Sequence, residues 1–270
     1  MVKSFKGVLI MKYSRVGNGK VVLIAGGGKI YTDTAAKFCR TEKDIDSIIA
    51  SPYNKKLVKA ILNSGHLAAT EFDYFIFGVQ GYSRVTEVQL VRKRLASYMI
   101  KSGRNEENGK REFSVVLPKD ELFTHVTGTI HEVAGDITLN TMQILNLLES
   151  WYDNALKSGV KEEDARYLKP QATEMKAVIG MNAHALRDWF KIRCCFRAQS
   201  EIRELANKML KLCKEAAPDL FEDAGPSCVS LGMCPEMEQC KELKGKIPSL
   251  NKFKELKKEG KIDDLIKELL

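Results

Sequence analysis

The stretch Gln89-Leu90-Val91-Arg92-Lys93-Arg94-Leu95-Ala96-Ser97-Tyr98-Met99-Ile100-Lys101-Ser102-Gly103-Arg104 places a basic triplet upstream of a Ser-Gly-Arg loop. Val88, Val91, Leu95 and Met99 recur at three- and four-residue spacing, which predicts an amphipathic helix from Val85 with one face in the core. On such a helix Gln89 and Arg92 lie one turn apart on the same side. Arg92, Lys93 and Arg94 would fan around the axis and serve anions on neighbouring faces rather than one phosphate together. Past the helix, Ser102 and Arg104 add a hydroxyl and a forked cation in a glycine-containing loop, which suits a phosphate monoester. From composition alone, a solvated basic helix face is the favoured reading of the triplet.

Around this stretch the chain has 270 residues, 44% of them apolar, enough to bury a real core and too many for a disordered protein. No apolar run reaches the roughly 18 residues needed to cross a bilayer. The residues from Met1 to Tyr13 lack the apolar centre and cleavage site of a secretory signal. A cytoplasmic protein with no membrane partner is expected. Cys39, Cys194, Cys195, Cys213, Cys228, Cys234 and Cys240 then read as reduced thiols rather than a disulfide frame. The net charge of +8 favours anionic ligands without choosing among nucleotides, nucleic acid and acidic membranes.

Toward the N-terminus, Lys6–Met11 and Val21–Ala25 read as strands joined by a Gly17-Asn18-Gly19 hairpin. Gly26-Gly27-Gly28-Lys29 lacks the spacing of a phosphate loop and reads as a turn. Helices follow from Thr32, with Thr32 or Asp33 as cap, and over Lys43–Ser64, broken near Ser51-Pro52 and stopped at Gly65. Phe72–Gln80 suits a buried strand. Downstream, Phe113–Leu117 is a short strand and Asp136–Ser158 a clear amphipathic helix ending at Gly159. Glu162–Leu168 is a short helix and Ala172–Met181 a strand. Ala183–Ile192 and Arg197–Ala216 are helices, and Trp151 and Trp189 are core or helix-interface aromatics. This order predicts one α+β domain over residues 1–225, with a Cys- and Lys-rich extension over 226–270.

Arg92-Lys93-Arg94, seven residues and then Ser102 resembles the Arg-His-Arg-(seven)-Ser signature of flavin-dependent thymidylate synthases, the ThyX family. Leu95-Ala96-Ser97-Tyr98 and Gly103-Arg104 fit as well. The resemblance continues in Ala35-Ala36-Lys37-Phe38-Cys39, in Gly65-His66 with Thr70 and Phe72-Asp73, and in Asn182-Ala183. It resumes in Arg193-Cys194-Cys195 with Arg197-Ala198-Gln199, and in Gly225-Pro226-Ser227-Cys228 through Cys234-Pro235-Glu236. It covers about residues 31 to 240.

The resemblance implies a central, mainly antiparallel sheet flanked by helices. It implies methylation of dUMP at C5, with methylenetetrahydrofolate giving the carbon and NADPH-reduced FAD giving the hydride. It also implies a homotetramer with shared active sites. Carried over by position, Gln89, Arg92, Ser102, Gly103, Arg104, Arg166 and Arg193 would bind dUMP. Ser102 and Arg193 would be catalytic, with Arg193 meeting the uracil ring. Thr70, Arg92, Lys93, Arg94, Asn182, His184, Asp188 and His66 would hold FAD. Four positions depart from the family pattern: Lys93 stands for the middle histidine, Ile100 for an acidic or amide residue, His184 for a frequent arginine, and Asp188 for a neutral or aromatic type.

No Ser-His-Asp or Cys-His set is recognisable. His125 and His131 lack metal-pair spacing, and Cys228, Cys234 and Cys240 are set wider than usual for structural zinc, so no metal is expected. Two other readings remain: a paralogue that methylates or hydroxymethylates another pyrimidine nucleotide, and a basic nucleotide- or nucleic-acid-binding protein without redox activity. Nucleic acid is the less favoured partner.

Overall fold

The computed structural model describes residues 11–102, 113–236, 238–242 and 246–261. In chain order the first elements are β1 (Tyr13–Arg15), β2 (Lys20–Ala25), α1 (Thr32–Arg40), α2 (Ile45–Ala50) and α3 (Lys55–Ser64). A 3-10 turn at Leu67–Phe72 leads into β3 (Tyr74–Ser83), α4 (Arg84–Leu90), β4 (Ser97–Ile100) and β5 (Val115–Leu117). Then come α5 (Leu122–His125), β6 (Thr127–Ile130), β7 (Ile137–Asn140), α6 (Thr141–Lys157) and α7 (Glu162–Ala165). A second 3-10 turn, Arg166–Leu168, precedes β8 (Glu174–Asn182), α8 (Ala183–Arg193) and α9 (Ser200–Ala216). The short α10 (Pro218–Phe221) and α11 (Ser227–Ser230) and then α12 (Leu250–Lys258) follow. The expected α+β class holds.

The main sheet has the order β2-β3-β8-β4, and β6 and β7 form an antiparallel hairpin that the sequence did not announce. The chain divides into two compact units. One comprises Met1–Lys20, Val79–Val91 and Met99–Ala177, the other Val21–Gly78, Arg92–Tyr98 and Val178–Leu270. The described residues after 225 group with the second unit.

In the first unit Phe113, Val115, Leu117, Leu145 and Tyr152 share an apolar core, with Phe113 and Tyr152 in edge-to-face contact at 5.9 Å. α6 presents Leu145 and Tyr152 to that core, as its periodicity requires. It starts with a capping box: Asn140 accepts from the Gln143 N–H while Gln143 accepts from the Asn140 N–H. Trp151, expected in a core or interface, is 58% exposed. β1 pairs in parallel with β5, from Tyr13↔Val115 to Arg15↔Leu117, and β2 pairs with β3. All three residues of β5 are buried. The strand expected over Lys6–Met11 lies, except for Met11, outside the described residues.

In the second unit Phe221 stands edge-on to Phe75 at 5.2 Å and to Phe190 at 6.2 Å, so α10, α8 and β3 share one aromatic core. α8 buries Leu186, Trp189 and Phe190 there. α3 ends at Gly65 in the left-handed conformation, as expected. Neither Thr32 nor Asp33 caps α1. Asp73 does so from the far end of the 3-10 turn, accepting from the Tyr31 N–H at 2.8 Å and the Thr32 N–H at 3.1 Å. A carboxylate at a helix N-terminus satisfies orphan donors and opposes the macrodipole.

Candidate functional site

The helix expected from Val85 through Met99 stops at Leu90, and Ser97–Ile100 forms β4 instead. Leu95 and Met99, expected in the core, are 70% and 76% exposed. Along β4, Tyr98 and Ile100 are half-buried while Ser97 and Met99 are exposed, a period of two. Pairing with β8 satisfies the β4 backbone and outweighs the helical spacing of four apolar residues. The consequence for the triplet is direct: Arg92, Lys93 and Arg94 sit in the connection between α4 and β4 and do not fan around a helix axis.

Within that connection Arg92 and Arg94 are exposed and Lys93 is half-buried. The Tyr98 hydroxyl donates to the Lys93 carbonyl oxygen at 3.0 Å. Burial pushes the Tyr98 phenol up to about 12, so it remains a neutral donor at physiological pH. Lys93 is therefore pinned at its backbone, and its ammonium faces Asp188 Oδ2 at 3.8 Å.

Asp188 belongs to the face of α8 opposite the aromatic core. Spacings of four and then three residues put His184, Asp188 and Lys191 in one row. Lys191 Nζ donates to Asp188 Oδ1 at 3.2 Å, and His184 Nε2 lies 3.8 Å from Asp188 Oδ2. The other ring nitrogen of His184, Nδ1, is 3.0 Å from Glu71 Oε1. Three positions expected at a flavin, Lys93, His184 and Asp188, thus converge. Two partners that the sequence reading missed, Glu71 and Lys191, join them. Lys191 was signalled by its register with Asp188. Glu71 carried no signal beyond its place beside Thr70.

The remaining positions are more dispersed in role. Asn182 caps α8, its Oδ1 accepting from the Ala185 N–H at 2.7 Å and leaving the amide NH2 for a ligand. Thr70 is fully buried and its hydroxyl donates to the Leu67 carbonyl at 2.6 Å, so as placed it holds the 3-10 turn rather than facing a ligand. His66 is exposed at the entry to that turn. Arg193 ends α8, half-buried. In the first unit, Gln89 on α4 and Ser102 just after β4 are half-buried. Arg166 is exposed, and its Nε donates to the Glu163 carbonyl at 3.0 Å, which leaves the guanidinium tips to a ligand. Gly103 and Arg104 lie outside the described residues.

The donor set of the second unit fits a flavin dinucleotide in its chemistry. Arg92, Lys93, Arg94 and Lys191 bring positive charge suited to a pyrophosphate, and the Asn182 amide and His184 ring suit polar edges. Among the described residues, no group of three or more His, Cys, Asp or Glu side chains is arranged to hold a metal ion, and no helix is long and apolar enough to cross a membrane. Cys194 is buried, and that burial pushes its thiol up to about 12, the state of a packing residue rather than a nucleophile.

A sequence model described as thymidylate synthase complementing protein matches residues 27–219. A flavin-dependent thymidylate synthase of Geobacter sulfurreducens is 36% identical over 205 residues, spanning 75% of this chain and 84% of its own. One from Pyrococcus abyssi is 38% identical over 188 residues, spanning 66% of this chain and 71% of its own. Among solved structures, the UMP/dUMP methylase PolB from Streptomyces cacaoi, bound with 5-Br dUMP, shares the fold. Its TM-score is 0.63 at 19% identity, over 78% of this chain and 96% of that one. The signature at residues 92–102 and these identities over most of the chain place the protein in the flavin-dependent thymidylate synthase family.

Proposed function

We propose that the protein methylates dUMP at C5 to give dTMP, with methylenetetrahydrofolate as carbon donor and NADPH as reductant of bound FAD. Family membership carries this reading, together with the Arg92-Lys93-Arg94…Ser102 spacing that it shares with the family. Bound FAD, once reduced, supplies the hydride. The chain's own residues bind, orient and stabilise charge. Arg92, Arg166 and Arg104 are cations for the nucleotide phosphate, with Gln89, Ser102 and Gly103 completing the phosphate and sugar contacts. Arg193 faces the uracil ring and stabilises negative charge as it develops there. Arg92, Lys93, Arg94, Asn182, His184, Asp188 and His66 belong to the flavin side, with Thr70 holding the 3-10 turn that precedes β3.

The same proposal includes a homotetramer with shared sites. In the second unit, Val22, Ile24, Phe72 and Tyr74 leave apolar surface exposed, which a second copy would cover. A monomer by light scattering at assay concentration would remove that part of the reading.

The main test is an anaerobic assay of dUMP conversion with NADPH, FAD and methylenetetrahydrofolate, with UMP and dCMP run in parallel. The expected result is dTMP from dUMP and a yellow purified protein. A colourless protein that takes up no added FAD would sink the flavin mechanism. Conversion of UMP alone would move the activity to ribonucleotides.

A further inference from the structure

Asp188 is the hub of a charged network that ties the α4–β4 connection to α8. One of its oxygens accepts from Lys191 at 3.2 Å, and the other faces both Lys93 Nζ and His184 Nε2 at 3.8 Å. Glu71 holds the far side of the His184 ring at 3.0 Å. The Lys93 side chain is 20% exposed and that of Asp188 42% exposed, so the pair is partly shielded from water on the lysine side. With its carbonyl held by Tyr98, Lys93 is fixed at one end by a phenol and at the other by a carboxylate.

Taken one at a time, a lysine, a histidine and an aspartate at these positions look like three unrelated changes, and the aspartate looks unfavourable beside a phosphate. In the structure they form one set. Leaving His184 aside, Lys93 and Lys191 match Asp188 and Glu71 in formal charge, so Asp188 is not an unpaired negative charge. It is 95 positions from Lys93 in sequence, so this balance depends entirely on the fold.

We propose that Asp188 is a positioning residue for Lys93: it holds the Lys93 ammonium beside the outer row of α8, where it meets an anionic group of the flavin cofactor. Lys191, donating to Oδ1, in turn holds the Asp188 carboxylate in place. This rests on the flavin reading above. Without the carboxylate, Lys93 keeps its charge but loses its direction, and rotamer freedom returns to a four-carbon stem.

The test is a double-mutant cycle on the full chain, read by quenching of FAD fluorescence. Asp188→Asn should weaken FAD binding about three- to fivefold in the wild-type background, the scale of a partly exposed charge pair. It should change binding less than twofold when Lys93 is already alanine. Asp188→Glu should restore at least half of the lost affinity. Tighter FAD binding in Asp188→Asn, or an equal loss in both backgrounds, would overturn the proposal. A second readout needs no flavin. Lysines are reductively methylated with 13C-formaldehyde, which keeps their charge, and the Lys93 resonance is assigned with Lys93→Arg. That resonance should move in Asp188→Asn. If it stays put while FAD binds normally, the pair is not formed and the proposal fails. If wild-type protein binds no FAD, the flavin reading fails, while the resonance still reports whether Asp188 holds Lys93.

Discussion

The row of charged residues on α8 is useful only if the helix is held firmly from behind, and Arg187 supplies a measurable anchor. Its side chain is 7% exposed. Nη1 and Nη2 bind the two Asp223 oxygens at 2.8 and 2.7 Å, and Nη1 also donates to the Leu220 carbonyl at 2.5 Å. The Arg187 Nε atom has no hydrogen-bond partner among the described residues, so the guanidinium depends on these contacts. Asp223→Ala removes two charge-assisted bonds and leaves a buried cation with one carbonyl. Complete loss of a buried pair costs about 3–5 kcal/mol. Because the Asp223 side chain is 53% exposed, water replaces part of the interaction, and about 2–3 kcal/mol is expected. For a chain of this size that corresponds to a fall in Tm of about 4 °C. Trp189, buried two positions along α8, provides the fluorescence signal. Arg187→Met should cost less than Asp223→Ala, because it removes the buried charge along with its need for a partner. The double variant should be close to Arg187→Met alone. A shift below 1 °C for Asp223→Ala, or a larger loss for Arg187→Met, would refute the argument.

Three other outcomes follow from the same geometry. The Arg187 hydrogen bond holds the Asp223 carboxyl below the usual carboxylate range, so its stabilisation is complete above the unfolded value of about 4 and fades as pH falls through the lowered folded value; acid unfolding of Asp223→Asn below pH 4 should be flatter than wild type, and parallel curves would contradict this. A Cβ at Gly19 would lie 2.5 Å from the Tyr82 ring, so Gly19→Ala should cost about 1–3 kcal/mol by overpacking, and an unchanged urea midpoint would show that the ring simply moves aside. Arg193→Ala should abolish dTMP formation while leaving most FAD binding intact, and wild-type turnover would refute the role given to Arg193.

Much of the helical framework was legible because helix signals are local. The breaks at Ser51-Pro52 and Gly65 and the apolar row of α6 come from interactions within about four residues. The same locality misled the reading of residues 85–99. Val88, Val91, Leu95 and Met99 have helical spacing, yet the chain leaves the helix at Leu90 because the β4 backbone finds its hydrogen bonds on β8. The parallel pairing of β1 with β5 joins segments 102 residues apart, as in Tyr13↔Val115, and no turn residue announces it.

For the site, the sequence by itself determined the family and the residue types: the basic triplet, its distance to Ser102, and the arginines at 166 and 193. Those follow from chemistry that must be written in order along the chain. Only the tertiary structure decided what Lys93, His184 and Asp188 do together. Glu71 meets His184 across 113 positions, and Lys93 meets Asp188 from a connection expected to be helix. Whether an acid near a cofactor repels it or aims a neighbouring cation depends on charges within a few ångströms, and that distance is set by the fold rather than by spacing along the chain.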